Sequence, residues 1–355
     1  MTPVSQLTTS GPGIGLGHSR HLPVWAPWGA LALAAAFSAA VLALAGFSLA
    51  GFLVLTAITF MIVLVVASRA VEGGRKATDR FVTSLVVGSF LLALIPLLSV
   101  TWTVISRGAA RFDVEFFTYS MRGIVGEGGG AVHAITGTLI ITAITTLISV
   151  PIGILTAVYL VEYGRGHVAR AITFLVDVMT GIPSIVAGLF AFALFVLILG
   201  PQARLGIMGS VALCVLMIPV VVRSTEEILR LVPHELREAS YALGVPKWRT
   251  VVKVVLRTSV AGIATGVTLA IARVIGETAP LLVTVGVTTA INYNPFEGRM
   301  STLPTFSWFS YAAPTLPAEA SIDRAWTAAL VLVILVMAFN LIARVVSRAF
   351  SPRTR

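Results

Sequence analysis

The sequence predicts an all-α polytopic membrane protein, with a six-helix core preceded by an extra two-helix hairpin at the N-terminus. Three observations carry that expectation. Of 355 residues, 57% are hydrophobic and only 11% charged, and the mean hydropathy is +0.96, whereas a soluble domain holds about 25% charged residues. Eight apolar runs, at 28–46, 47–67, 81–105, 134–161, 171–199, 205–222, 258–287 and 325–343, approach or exceed the roughly 20 residues that a spanning helix needs. Lys and Arg gather in alternate connections between those runs, as they do when one set of loops faces the cytoplasm.

The formal charge of +10 would suggest nucleic acid in a soluble protein; here basic loops on one membrane face account for it, and no nucleic-acid partner is expected. The single cysteine, Cys214, lies inside an apolar run. It excludes a disulfide framework and a thiolate metal site, and reads as a small buried apolar residue. The first run passes into the second without a cleavage-site pattern, so it is expected to be retained.

Residues 1–27 read as a cytoplasmic tail. The hairpin, 28–67, holds no charged residue, and only the stretch around 46–51 can turn it. The core spans 81–348, with a short cytoplasmic tail at 349–355. With both termini inside, Lys and Arg divide 18 to 6 between inner and outer segments, leaving Arg273 within a run. Of the outer loops, 106–133 carries aromatic residues and a glycine-rich turn, and 292–323 carries four prolines, too many for one continuous helix.

The longest inner connection, 223–257, is amphipathic. Pro233 suits a first helical position, Glu235 the N-terminal turn, and Gly244 a left-handed end after 234–243. Pro246 then restarts a helix. Ala239 and Ala242 are small enough to seat against a partner surface, with Arg237 and Glu238 available for polar contacts. The stretch Glu238-Ala239-Ser240, then Gly244, then Val254-Val255-Leu256-Arg257 keeps the spacing of the E-A-A, Gly, I-x-L-P loop pattern, with Ser240, Val254 and Arg257 departing from it. On these residues the chain resembles the inner-membrane permease subunits of bacterial ABC importers.

Segments beginning at His133, Gly181, Ala272 and Asn340, above all Gly276-Glu277-Thr278-Ala279-Pro280, make it similar to the A-type permeases of Pst phosphate importers. The resemblance runs from about 81 to 348. It implies a type I importer-like core in the bacterial inner membrane, a second homologous permease, a cytosolic ABC ATPase dimer docked on the 223–257 loop, and an extracytoplasmic binding protein that delivers inorganic phosphate. The chain has no P-loop, so no cofactor is expected on it and ATP is hydrolysed by a partner.

Independently of the resemblance, charges inside a membrane mark functional positions, since each costs about 2.5–3.5 kcal/mol at a helix centre. Arg273 and Glu277 stand four apart and are expected on one helical face, where a guanidinium can bind an oxyanion bidentately. Asp177 reads as a packing or gating partner for a basic residue. The break at Gly181-Ile182-Pro183-Ser184 exposes backbone at membrane depth and makes Thr180 and Ser184 candidate donors to phosphate oxygens, while Pro183 serves equally as a structural kink. Molybdate or sulfate importers would share the cytoplasmic loop, whereas an ion-coupled secondary transporter would not need it. The five histidines are scattered without metal or triad spacing, so neither a metal site nor a catalytic site is expected and the chain is not read as an enzyme.

Overall fold

The computed structural model describes residues 21–350; the tail segments 1–20 and 351–355, with Arg20, Arg353 and Arg355 of the charge argument, lie outside the described residues. Seven helical segments among the described residues are long and apolar enough to cross a membrane, and a bent pair makes an eighth if it is a single span. The chain divides into two compact units, Met1–Thr101 and Trp102–Arg355.

The first unit holds α1 (Ala26–Ala45), α2 (Leu49–Val71) and most of α3 (Gly74–Gly108). Ala30, Ala34 and Ser38 are buried at four-residue intervals on α1, a small-residue stripe that lets two helices approach closely. Ser48 accepts the Gly51 N–H at 3.1 Å and caps α2. The division between the units falls inside α3. Over 81–101 its side chains are mostly exposed, and near its end the Gly108 carbonyl accepts Thr327 Oγ1 at 3.0 Å.

At the end of α2, Glu72 is enclosed by donors: Arg80 Nε at 2.8 Å, Ser68 Oγ at 2.8 Å and the Leu22 N–H at 2.9 Å. Arg80, together with these bonds, lowers its carboxyl to about 2. A carboxyl held below its unfolded value stabilises the fold above that value and loses the contribution as pH falls toward the folded one. Glu72→Gln is therefore expected to lower the melting temperature of the detergent-solubilised chain at pH 7, with the gap to wild type closing between about pH 4.5 and 2. A gap independent of pH would contradict this.

In the second unit, α5 (Val132–Val158) continues through a π-helical turn, Tyr159–Tyr163, and packs along α8 (Gly206–Arg230). A polar seam joins them: Thr145 Oγ1 donates to Ile141 O at 2.8 Å and reaches Ser210 O at 3.3 Å, and the buried Cys214 Sγ lies 3.8 Å from Thr145 O. Three apolar clusters are distributed along the helices. One gathers Phe116, Leu303 and Phe306, a central one Ile141, Leu213, Met217, Val274 and Leu281, and a third Ala157, Val222, Leu229 and Val255.

One expected span breaks where the sequence placed its break, and another ends earlier than its apolar run. The run 171–199 is two helices, α6 (Gly166–Thr180) and α7 (Ser184–Leu199), bent by 109°, because Pro183 lacks an N–H and takes an extended ψ of 138°. The run 258–287 ends as a helix at Ile275. A rod that begins at Lys247 runs through α11 (Leu256–Ile275), and after Gly276–Thr278 a short α12 (Ala279–Thr284) follows.

The outer loops also contain more order than their composition indicates. Residues 106–133 include α4 (Val114–Thr118), capped by Asp113 Oδ1 at 2.8 Å from the Phe116 N–H. Within 292–323 lies α13 (Leu303–Ala312), whose Pro304 sits in the first turn, where a missing N–H costs nothing.

Candidate coupling and translocation site

Between α8 and the rod lies α9 (His234–Ala242), followed by α10 (Lys247–Thr250). Pro233 occupies the cap one residue before the expected position, and Gly244 follows Leu243 with φ +73°. That left-handed angle costs glycine nothing and a side-chain-bearing residue about 1–2 kcal/mol. The Ser240 and Thr250 hydroxyls meet at 2.8 Å and fasten the two helices. Glu238, Ala239 and Ala242 are exposed, as are Leu236, Tyr241, Leu243 and Trp248 beside them, so α9 presents a mixed apolar face that no described residue covers.

Arg237 corrects the sequence reading. Instead of offering itself to a partner, it is buried: Nε and Nη2 donate to Glu162 Oε1 at 3.0 and 2.9 Å, Nη1 to Val232 O at 2.6 Å, and Nη2 to Leu229 O at 3.0 Å. The reason is helical phase, since Arg237 and Ser240 lie three apart on the inward face while Glu238 points away. Lys247 Nζ also reaches the Glu162 carbonyl. Glu162, in the π-helical turn after α5, therefore ties α9 and α10 to the core.

On the neighbouring helices, Asp177 of α6 pairs with Arg223 of α8, Arg223 Nη1 also donates to Glu226 at 2.8 Å, and Arg230 holds the other Glu226 oxygen. Glu226 is buried, and a buried carboxylate bracketed by two guanidinium groups is held in place by them.

Arg273 and Glu277 do not share a helical face. Arg273 lies in the last turn of α11 and is exposed, while Glu277 lies beyond the helix end. No ion pair joins them among the described residues. Gly276 and Glu277 stop the helix before the four-residue spacing can bring the side chains together. The depth of Arg273 follows from packing. A Cβ on Gly262 would meet Ile228, and one on Gly266 would meet Ser224, so α11 runs antiparallel along α8 in close contact that only small residues allow. Continued by seven residues, that register sets Arg273 level with Met217, midway along Gly206–Arg230.

The other helix break lies beside this one. Thr180 is exposed and donates to Val176 O at 2.8 Å, and Ser184 opens α7 half-buried. One turn later, Gly188 abuts Pro280 at the start of α12. The helices that follow the two breaks, α7 and α12, thus pack on each other.

The family described as binding-protein-dependent transport system inner membrane component matches residues 149–355. The phosphate transport system permease protein PstA of Mycobacterium leprae (strain TN) is 48% identical over 281 residues, covering 78% of this chain and 90% of that protein. The chain belongs to the PstA permease family. PstA 1 of Mycobacterium tuberculosis (strain ATCC 25618 / H37Rv) is 47% identical, covering 79% and 91% of the two chains, and PstA of Pasteurella multocida (strain Pm70) 38%, covering 76% and 95%. A solved bacterial alginate ABC transporter, in complex with an alginate pentasaccharide-bound periplasmic protein, superposes with a TM-score of 0.55 at 13% identity over 77% of this chain and 96% of its own. That likeness shows the fold of an ABC importer permease, and with the family it makes this chain a multi-pass inner-membrane protein.

In this PstA-family chain, sequence reasoning missed Glu162, Arg223 and Glu226. Each stands at the end of an apolar run next to basic residues, where a solvated charge is the ordinary reading. Only the pairing distances distinguish a strut from a surface charge.

Proposed function

We propose that this chain forms half of the translocation path of an ATP-driven phosphate importer, with both termini cytoplasmic. A second homologous permease supplies the other half, a cytosolic ABC ATPase dimer docks on α9, and an extracytoplasmic binding protein delivers inorganic phosphate. The chain itself carries out no chemistry; ATP is bound and hydrolysed by the partner. The PstA-family membership and the names of its relatives support the phosphate assignment.

The observation that carries the coupling role is the exposed α9 face fastened to the core through Arg237 and Glu162. A partner that grips Ala239, Ala242 and the apolar residues beside them would move α5, α8 and the rod toward Arg273 together. At the level of Arg273, the exposed guanidinium and the α6–α7 break with Thr180 and Ser184 would line the anion route, and the Asp177–Arg223 pair would lie below it as a gate. Exposure at mid-membrane supports this, since an intramembrane arginine without an internal partner needs a cavity or an adjoining subunit.

Gly244 provides the test. Gly244→Val should keep the complex assembled in the membrane while strain at φ +73° misaligns α9, so that ATP hydrolysis in proteoliposomes continues and phosphate uptake drops several-fold. Wild-type uptake by an assembled Gly244→Val complex would remove α9 from the coupling role.

A further inference from the structure

Arg324, at the start of α14 (Ala318–Phe350), is 1% exposed, and no carboxylate pairs with it among the described residues. Asp113, which caps the nearby α4, and Glu115 within it are both engaged by Arg111 at 3.0 and 3.5 Å. Arg324 Nη1 donates to the carbonyls of Gly126 and Gly128 at 2.9 and 3.0 Å, and Nη2 reaches Thr315 Oγ1 at a long 3.4 Å. Nε and the second Nη2 hydrogen have no partner among the described residues. A buried cation solvated on one side by carbonyls is costly unless an anion completes it.

A cavity of about 160 Å³ adjoins it, lined by Arg324, His133, Thr288, Thr315, Ser321 and Phe306 among others. That is about five times a water's share of liquid volume. His133 is 2% exposed, and its Nδ1 has no hydrogen-bond partner among the described residues. Thr288 Oγ1 accepts the Ala290 N–H at 3.2 Å, and Thr315 Oγ1 accepts from Arg324, so both hydroxyl hydrogens remain to donate. Ser321 spends its own on Ser310 O at 2.9 Å. The site holds a full positive charge, two free hydroxyl donors and an unpartnered imidazole, with no acid to neutralise them.

We propose that this cavity binds a phosphate-type oxyanion, held by Arg324 with Thr288, Thr315 and His133. It is separate from the Arg273 region: His133 begins α5 and Glu162 ends its π-helical extension, about 40 Å apart along a helix at 1.5 Å per residue, and Arg273 stands midway along the neighbouring α8. The site therefore lies at the end of the core away from α9. The phosphate group could be free inorganic phosphate or a phospholipid headgroup, and both present the same oxygens to the guanidinium.

The full-length chain, purified in detergent with the subunits that accompany it, tests this with radiolabelled inorganic phosphate in the absence of nucleotide. Saturable binding is expected, weakened about tenfold or more by Thr288→Val and Thr315→Val, each of which removes one donor to a charged ligand while keeping shape. It should survive Arg273→Ala, which separates this site from the proposed transport route. Native mass spectrometry of co-purified phospholipid gives the second arm. Lipid retained by wild type and lost from the two threonine variants identifies a headgroup as the source. Arg324→Gln is a weaker test because the side chain also holds the glycine loop, so the threonine variants decide. If they change neither phosphate binding nor lipid retention, or if Arg273→Ala alone abolishes phosphate binding, the proposal is overturned.

Discussion

Arg237→Ala is expected to lower both the amount of folded chain in the membrane and the coupling of hydrolysis to phosphate uptake. The substitution strands Glu162, whose side chain is 6% exposed, and leaves the Leu229 and Val232 carbonyls without the donor they share. Removing one partner of a buried ion pair costs about 3–5 kcal/mol, a large fraction of a domain's stability of about 5–15 kcal/mol. Adding Glu162→Gln should recover part of the loss, because the stranded charge goes while the side chain's shape stays. A residue that served only to touch the ATPase would behave otherwise: its replacement would leave melting unchanged, and the second substitution would rescue nothing. Melting temperature and membrane abundance of the two variants, measured beside wild type, separate the cases.

Arg273→Ala should show the opposite pattern. Arg273 is exposed and makes no ion pair among the described residues, so melting should stay within about 0.5 kcal/mol of wild type. Phosphate uptake should fall by about 10- to 150-fold, the worth of a hydrogen bond to a charged group of about 1.5–3 kcal/mol. Arg273→Lys keeps the charge and loses the planar fork, so it should retain intermediate uptake. Glu277→Gln tests the geometry from the other side. Since the helix ends before Glu277, neutralising it should not destabilise α11, as it would if the two side chains were paired. Uptake at wild-type level in a well-inserted Arg273→Ala complex would shift the anion route to Thr180, Ser184 or the adjoining permease.

The membrane class was legible because hydropathy is a property of long windows, and eight runs are hard to disguise. The turn at Gly244 was legible because only glycine takes its backbone angle without cost. What escaped depends on events of a residue or two. Gly276-Glu277 ends α11 in the middle of an apolar run, and no window average registers it. Whether Arg237 turns inward depends on helical phase relative to α5, which becomes known only when Glu162 is located. Pro304 argued against helix by composition, yet prolines in a first turn favour one. Of the candidate site, the segments were readable and the pairings were not: Asp177 called for a basic partner, but nothing local pointed to Arg223, 46 residues away in sequence.

The rod that starts at Lys247 continues for 29 residues to Ile275. Its π-helical turn, Val251–Val255, keeps the helix intact. Over that length, about 43 Å at 1.5 Å per residue, no glycine–proline joint or loop interrupts the path from Lys247 to Arg273. Displacement applied below would therefore arrive at mid-membrane undamped, in the manner of a pushrod rather than a cable. With the docking proposed above, the timing of anion release would follow the stroke of the ATPase directly, and lengthening or shortening the rod by one residue would turn Arg273 by about 100° about the axis without altering any contact at the Lys247 end.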